Sequence, residues 1–312
     1  MHRNHCAGGE RRHRPDERAE APLTARGRRG HGSIRQTAEN RFSTGARWPS
    51  EQEVADEVPI DIDVDEATRV LGSVPLWFHT FALNRKRGLY TPGKARDHGY
   101  RLASIPDSFV GHSVLDVGAF DGFYSFLAEK RGAARVLAID NEQYVHWVRD
   151  RWGIELTGGE GFRAIHRSLG SKVEYRRMDA LEIADTEERF DFIFCFGILH
   201  RVESPIGLLR SLADVLGEGG RILIETYGIL DDAAGEDGAL RVPNPGDVYT
   251  NDHFVHWQFS SSAIANLASF VDGLTFDVHA MPLVDGHPRV IGTMGSPRPP
   301  TQIRVATSGT GG

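Results

Sequence analysis

Two cysteines in 312 residues, Cys6 and Cys195, are too few for a disulfide framework or a cysteine-rich zinc site. Cys195 lies inside the apolar run Phe190–Phe196, where a reduced, buried thiol is expected, and a reducing cytoplasm is the simplest compartment. No run of about 18 apolar residues occurs, which excludes a spanning helix and, with it, a membrane partner of that kind. Residues 1–50 contain no lysine and little apolar periodicity, yet hold eleven arginines against five acids. Such a stretch cannot offset its ordering entropy by burial, so residues 1–56 read as a disordered basic tail. The pair Arg11-Arg12 is not followed by the apolar segment of roughly 7–15 residues that an export signal needs.

The rest of the chain is the opposite in charge. The whole sequence carries −7, and everything after residue 50 carries −13. A nucleic-acid patch would therefore lie in the tail or be local, because the body repels phosphate. With 40% apolar and 9% aromatic residues, wholesale disorder is excluded and one large domain with extensions is expected.

From about Trp77 short apolar runs alternate with amphipathic segments. Val114–Val117, Arg135–Asp140, Lys172–Arg176, Phe190–Phe196 and Arg221–Thr226 read as strands, followed by Leu274–Ala280 and Arg289–Met294. Helices are expected over Phe123–Arg131, Tyr144–Trp152, Pro205–Leu216 and Ser260–Phe270. The pattern predicts an α/β fold, a Rossmann-like seven-stranded mostly parallel sheet with helices on both faces. Domain limits follow: a lid or helical extension over 57–110, a catalytic domain over 111–295 with a lid insertion at 228–258, and a frayed end from 296.

The informative unit is VLDVGAFDG, followed about 20 residues on by the strand-end acid Asp140. Gly118 and Gly122 let the backbone turn sharply and approach a ligand. An acid ending the second strand can accept both ribose hydroxyls of an adenosine-containing cofactor. A pyrophosphate loop would spell G-x-G-x-x-G; this loop instead carries Asp116 and Asp121, which repel phosphate and suit a sulfonium and an amino group. The chemistry points to S-adenosylmethionine rather than NAD.

On these residues the sequence resembles the class I S-adenosylmethionine-dependent methyltransferases over about Val110–Met294. The matching pieces are LDVGAFDG, Asp140, Met178-Asp179-Ala180, FDFIFCFGILH and GEGGRILIET. The resemblance implies that the loop from Asp116 through Gly118, Ala119 and Asp121 to Gly122 holds the methionine part. Asp140 would take the ribose and Asp179 the adenine amino group, with Asn141, Ala180 and Phe196 completing the cofactor set. A narrower likeness exists in WFHTFALNRKRGLYTPG, GILHRVESP and PGDVYTNDHFVHWQFSSSAIANLA, which resemble the tRNA wobble-uridine carboxymethyltransferase-like family. Its tRNA-acting members use carboxy-S-adenosylmethionine and read the added carboxylate with Lys, Tyr and Arg. The matching positions here are His79, His200 and Arg289; the first two changes weaken that recognition and favour ordinary methyl transfer.

A hydroxyl acceptor benefits from a base near neutral pKa, so His200, after the fourth strand, is the expected catalytic base, with His79 as a second polar group. His253 and His256 lack a suitable third ligand, so no metal is expected. Tyr249, Phe254 and Trp257 would wall an acceptor pocket. Trp147, Trp152, Phe190, Phe192 and Phe194 read as packing. The expectation is O-methylation of a small molecule such as a sugar or natural-product intermediate. The rivals are a tRNA-modifying enzyme and a non-catalytic adenosylmethionine-binding protein.

Overall fold

The structure is a computed structural model that describes residues 48–95, 98–229, 237–248, 252–271 and 273–296, all within one compact unit. The chain enters through two short helices, each begun by a side-chain cap. In α1 (Glu51–Ala55), Ser50 and Glu53 form a reciprocal capping box, and in α2 (Val64–Ser73) Asp63 accepts the Glu66 amide at 2.8 Å. Here the sequence expectation is corrected: residues 51–55, placed in the tail, form a helix whose Val54 and Ala55 are buried. Residues 1–47, and 297–312 of the expected frayed end, lie outside the described residues.

A two-stranded ribbon follows, β1 (Ala82–Asn84) against β2 (Leu89–Tyr90), and then the short helix α3 (His98–Leu102). The central sheet then begins with β3 (Ser113–Val117), α4 (Phe123–Lys130), β4 (Arg135–Asp140) and α5 (Tyr144–Trp152). It continues with α6 (Glu160–Leu169), β5 (Glu174–Arg177), β6 (Phe190–Phe196), α7 (Pro205–Asp214) and β7 (Leu216–Tyr227). A small pair, β8 (Leu240–Arg241) and β9 (Gln258–Phe259), precedes α8 (Ser261–Ser269), β10 (Thr275–Ala280), β11 (Leu283–Val284) and β12 (His287–Gly295).

The main sheet runs β10-β12-β7-β6-β3-β4-β5, with β11 paired beside β12. The seven strands of this path match the expected number, and β11 makes the sheet eight-stranded. The pairs β3–β4, β3–β6, β4–β5 and β6–β7 are parallel, and β12 runs antiparallel to both of its main neighbours. Chain order reverses between β3 and β6, which is where such a sheet opens a crevice beyond its strand ends.

Side-chain alternation divides the core into two layers. Val114, Val136, Phe192, Phe194 and Phe196 pack on one face with α4 residues Phe123, Phe126 and Leu127. Leu115, Leu137, Ile193, Cys195 and Ile224 pack on the other with Leu208, Leu209 and Leu212 of α7. Full burial of each such side chain is worth about 1.5–3 kcal/mol. The Cys195 thiol sits in this layer, and burial pushes its pKa up to about 12, so it is inert as a nucleophile. Among the described residues no helix is long and apolar enough to cross a membrane.

Candidate active site

At the reversal point a single cavity is bounded by the ends of β3, β4, β6 and β7. Of the residues singled out in the sequence, Asp116, Gly118, Ala119, Asp140, Asn141, Asp179, Ala180, Phe196, His79 and His200 line it together. Asp121 and Gly122 do not line it.

Asp140 ends β4 and is held from two sides. Its Oδ2 accepts the Phe120 amide at 2.9 Å and its Oδ1 the Glu142 amide at 2.8 Å. Both donors adopt left-handed backbone, φ 52° at Phe120 and φ 60° at Glu142, conformations that a non-glycine residue rarely holds. The strained turns aim two N–H groups at one carboxylate and leave its outer lone pairs for a ligand. Burial still pushes the Asp140 pKa up to about 6 against the pull of those amides.

Asp116 stands one strand over, facing the same cavity. Ser125 Oγ donates to it at 2.6 Å, but burial, with the neighbouring Asp140 adding to it, raises its pKa to about 7. Burial thus holds both carboxyls well above the ordinary carboxylate range. Next to them Asn141 Nδ2 donates to Asp179 Oδ2 at 2.9 Å, and Asp179 Oδ1 accepts the Leu181 amide at 2.9 Å. Gly118 bends the loop at φ 72°, and a Cβ there would run into Ile198 Cδ1.

Asp121 has another task. Its Oδ2 accepts the backbone amides of Phe78 at 2.7 Å and His79 at 2.9 Å, tying the Trp77–His79 segment to the turn after β3. The geometry therefore corrects the expected contact of Asp121 with the methionine part: this carboxylate faces the chain. Gly122, at φ 83°, starts α4 against Phe162, whose ring a Cβ would strike. His79 is 3% exposed, stacks on Phe123 at 6.0 Å and meets Tyr124 edge-on at 5.7 Å.

His200 is 1% exposed. Its Nδ1 lies 3.1 Å from Thr226 Oγ1, its ring meets Tyr227 edge-on at 4.5 Å, and its Nε2 is buried without a hydrogen-bond partner. Burial first, then the positive field of Arg201, Arg289, Arg101 and His256, holds its pKa well below the usual histidine value. A neutral imidazole that resists protonation is a weak base, which qualifies the expected role of His200 as a base near neutrality.

Sequence reasoning missed the polar cluster beyond β7. Glu225 is fully buried; its Oε2 meets Arg101 Nη2 at 2.5 Å, and its Oε1 meets Arg289 Nε at 2.6 Å and accepts from Tyr100 at 2.8 Å. The Arg289 guanidinium also lies 3.8 Å above the Tyr227 ring. Of these residues the sequence marks only Arg289, and no local pattern announces partners 64 to 125 residues from Glu225. Trp147 and Trp152, read as packing, also line the cavity. Phe120 stacks between Phe78 at 4.8 Å and Tyr144 at 3.9 Å, with Trp147 edge-on to Phe78 at 5.7 Å. Phe254 lines the cavity, Trp257 instead donates Nε1–H to the Val202 carbonyl at 2.8 Å, and Tyr249 lies outside the described residues. His253 is exposed and His256 half-buried; among the described residues no group of three or more metal-ligating side chains occurs.

A doubly wound sheet with an acid-lined crevice at its reversal point defines an α/β fold of the kind that binds ligands beyond its strand ends. The chain belongs to the methyltransferase domain family, whose model matches residues 85–270. Curated relatives include a tRNA U34 carboxymethyltransferase of Pseudomonas putida (strain W619), 28% identical over 218 residues. That match covers 66% of this chain and 63% of the relative, so the chain spans less than two thirds of that protein's length. The corresponding protein of Pseudomonas putida (strain GB-1) is 26% identical, over 83% of this chain and 78% of the relative. Among solved structures, the N-terminal domain of EvdMO1 with S-adenosylhomocysteine bound superposes with a TM-score of 0.50 at 18% identity. It covers 76% of this chain and 98% of that one, a likeness of fold.

Proposed function

We propose that this methyltransferase moves the methyl group of S-adenosylmethionine onto an oxygen of a small molecule. The cofactor supplies an electrophilic methyl group on a sulfonium. The donor set fits it: burial raises the pKa values of Asp116 and Asp140 toward neutrality, and two such carboxyls favour a cationic ligand over a phosphate-bearing one. Asp140, fixed by two amides, receives the ribose hydroxyls. Asp116 faces the amino group of the methionine part, and Asp179, braced by Asn141, takes the adenine amino group. Ala119, Ala180 and Phe196 supply walls. His200 meets the acceptor oxygen, His79 helps to close the site, and acceleration rests mainly on holding that oxygen in line with the methyl carbon.

The observation that carries the choice of methyl over carboxymethyl is the state of Arg289. It is the one carboxylate-reading position retained, and its guanidinium is engaged by Glu225 at 2.6 Å and by the Tyr227 ring. Histidines stand at 79 and 200 where the carboxymethyl-transferring relatives of the resemblance have Lys and Tyr. Mass spectrometry of ligands retained on purification tests this reading: S-adenosylmethionine supports it, and the carboxylated cofactor overturns it.

The printed names of the curated relatives favour a second reading, with tRNA as acceptor. A tRNA affinity that falls steeply with salt would support it; a slope near zero would leave the small-molecule reading in place.

A further inference from the structure

The acceptor end of the cavity carries a chemical signature of its own. His200 Nε2 and Trp147 Nε1 are both buried in residues that line the cavity, and neither has a hydrogen-bond partner. A buried polar atom without a partner costs about 1–3 kcal/mol unless a ligand satisfies it. Beside Trp147, in the same cavity, stands a wall of flat rings: Phe78 is edge-on to Trp147, and Phe78, Phe120 and Tyr144 are stacked in series. Arg201 lies 4.8 Å over the Trp147 ring and is paired to the buried Asp252, while Arg101 and Arg289 flank Glu225. We propose that the acceptor is a planar aromatic ring whose acidic hydroxyl, a phenol or enol, is received at His200 Nε2 with the ring against the Phe78–Phe120–Tyr144 wall. This rests on the small-molecule O-methylation reading and names its substrate class.

The groups facing His200 decide between an acidic and an ordinary hydroxyl. Arg201 comes from its own loop, Arg289 from β12, Arg101 from α3 and His256 from the segment before β9, and each opposes a positive charge on the imidazole. Glu225 and Asp252 are the paired counterions of the three arginines. The same field that keeps His200 neutral favours an anion beside it. An aliphatic alcohol would need a stronger base than this histidine, whereas a phenol can release its proton to water as it docks. With the Thr226 hydroxyl donating to Nδ1, His200 donates Nε2–H to the phenolate. The oxygen then forms its bond to the methyl carbon as the carbon–sulfur bond breaks, its electron pair staying on sulfur as the neutral thioether.

The test offers the full chain methyl-labelled S-adenosylmethionine with phenols of graded acidity, from 4-nitrophenol to 4-methylphenol, beside cyclohexanol, methyl glucoside and tRNA. Binding of the same phenols in the presence of S-adenosylhomocysteine is measured by calorimetry. Expected are phenol binding and methylation, with the rise of kcat/KM with pH tracking each phenol's own pKa. His200→Phe, or His200→Asn if the first fails to fold, should weaken phenol binding about tenfold or more while cofactor affinity stays within about twofold. Equal transfer to the alcohols, transfer to tRNA alone, or a pH profile identical for all phenols overturns the inference. Methylated alcohol leaves the O-methylation reading standing, whereas transfer to none of these acceptors sinks both.

Discussion

The Phe120 amide donates to Asp140 Oδ2 at 2.9 Å from a left-handed backbone, while the Phe120 ring stacks on Tyr144. One residue thus fixes the acid at the end of β4 and forms part of the cavity wall. Asp140→Asn keeps the shape but turns an NH2 toward either the Phe120 or the Glu142 amide, where donor meets donor. We expect cofactor affinity to fall roughly 10- to 100-fold, about 1.5–3 kcal/mol for lost charge-assisted hydrogen bonds, as read by calorimetry.

The Asp121 clasp gives a contrasting result. Asp121→Ala strands the Phe78 and His79 amides and should lower unfolding free energy by about 1–3 kcal/mol in urea. Because this carboxylate is outside the cavity, the loss in cofactor affinity should be smaller than for Asp140→Asn. The reverse ranking would return Asp121 to the cofactor.

Glu225→Gln removes the carboxylate between two buried guanidiniums and should cost about 3–5 kcal/mol, read from the denaturation midpoint. A change below about 1 kcal/mol would mean that Arg101 and Arg289 do not depend on it.

Protonation gives a signed prediction. Asp116 and Asp140 have folded pKa values near 7 and 6, raised above their ordinary value near 3.8 by burial. In the free protein the folded state therefore holds more protons between about pH 4 and 7, and their contribution to stability declines as pH rises through that window. A cationic ligand favours the ionised forms. S-adenosylmethionine should release protons on binding near pH 6 and gain affinity from pH 5.5 to about 7.5. S-adenosylhomocysteine, without the sulfonium, should show less of both. Titration in buffers of different ionisation enthalpy measures the release.

Much of this molecule was legible in the sequence. The strands Arg135–Asp140 and Phe190–Phe196 were read to the residue, because continuous apolar runs bounded by turn residues are strong local signals. Helix Glu160–Leu169 was not anticipated: a glycine stands at its N-cap and another at its second position, masking the apolar face formed by Phe162 and Ile165. Residues expected around the cofactor met in one cavity because a strand-turn-helix fixes Asp116 through Ala119, and the parallel neighbour fixes Asp140. Asp121 was misread because its partners lie 42 and 43 residues upstream, and Glu225 was missed because its charge is matched only by tertiary contacts. Local pattern specifies elements and their ends; it does not say which buried charge meets which.

The central claim is that the Asp116–Asp140 crevice binds S-adenosylmethionine. Calorimetric titration of the full chain and of Asp140→Asn, side by side at pH 7.5, tests it most directly. The account predicts one site per chain in the wild type, with affinity at least about tenfold weaker in the variant and an unchanged circular-dichroism spectrum. No binding by the folded wild type, or equal affinity in both proteins, would contradict it.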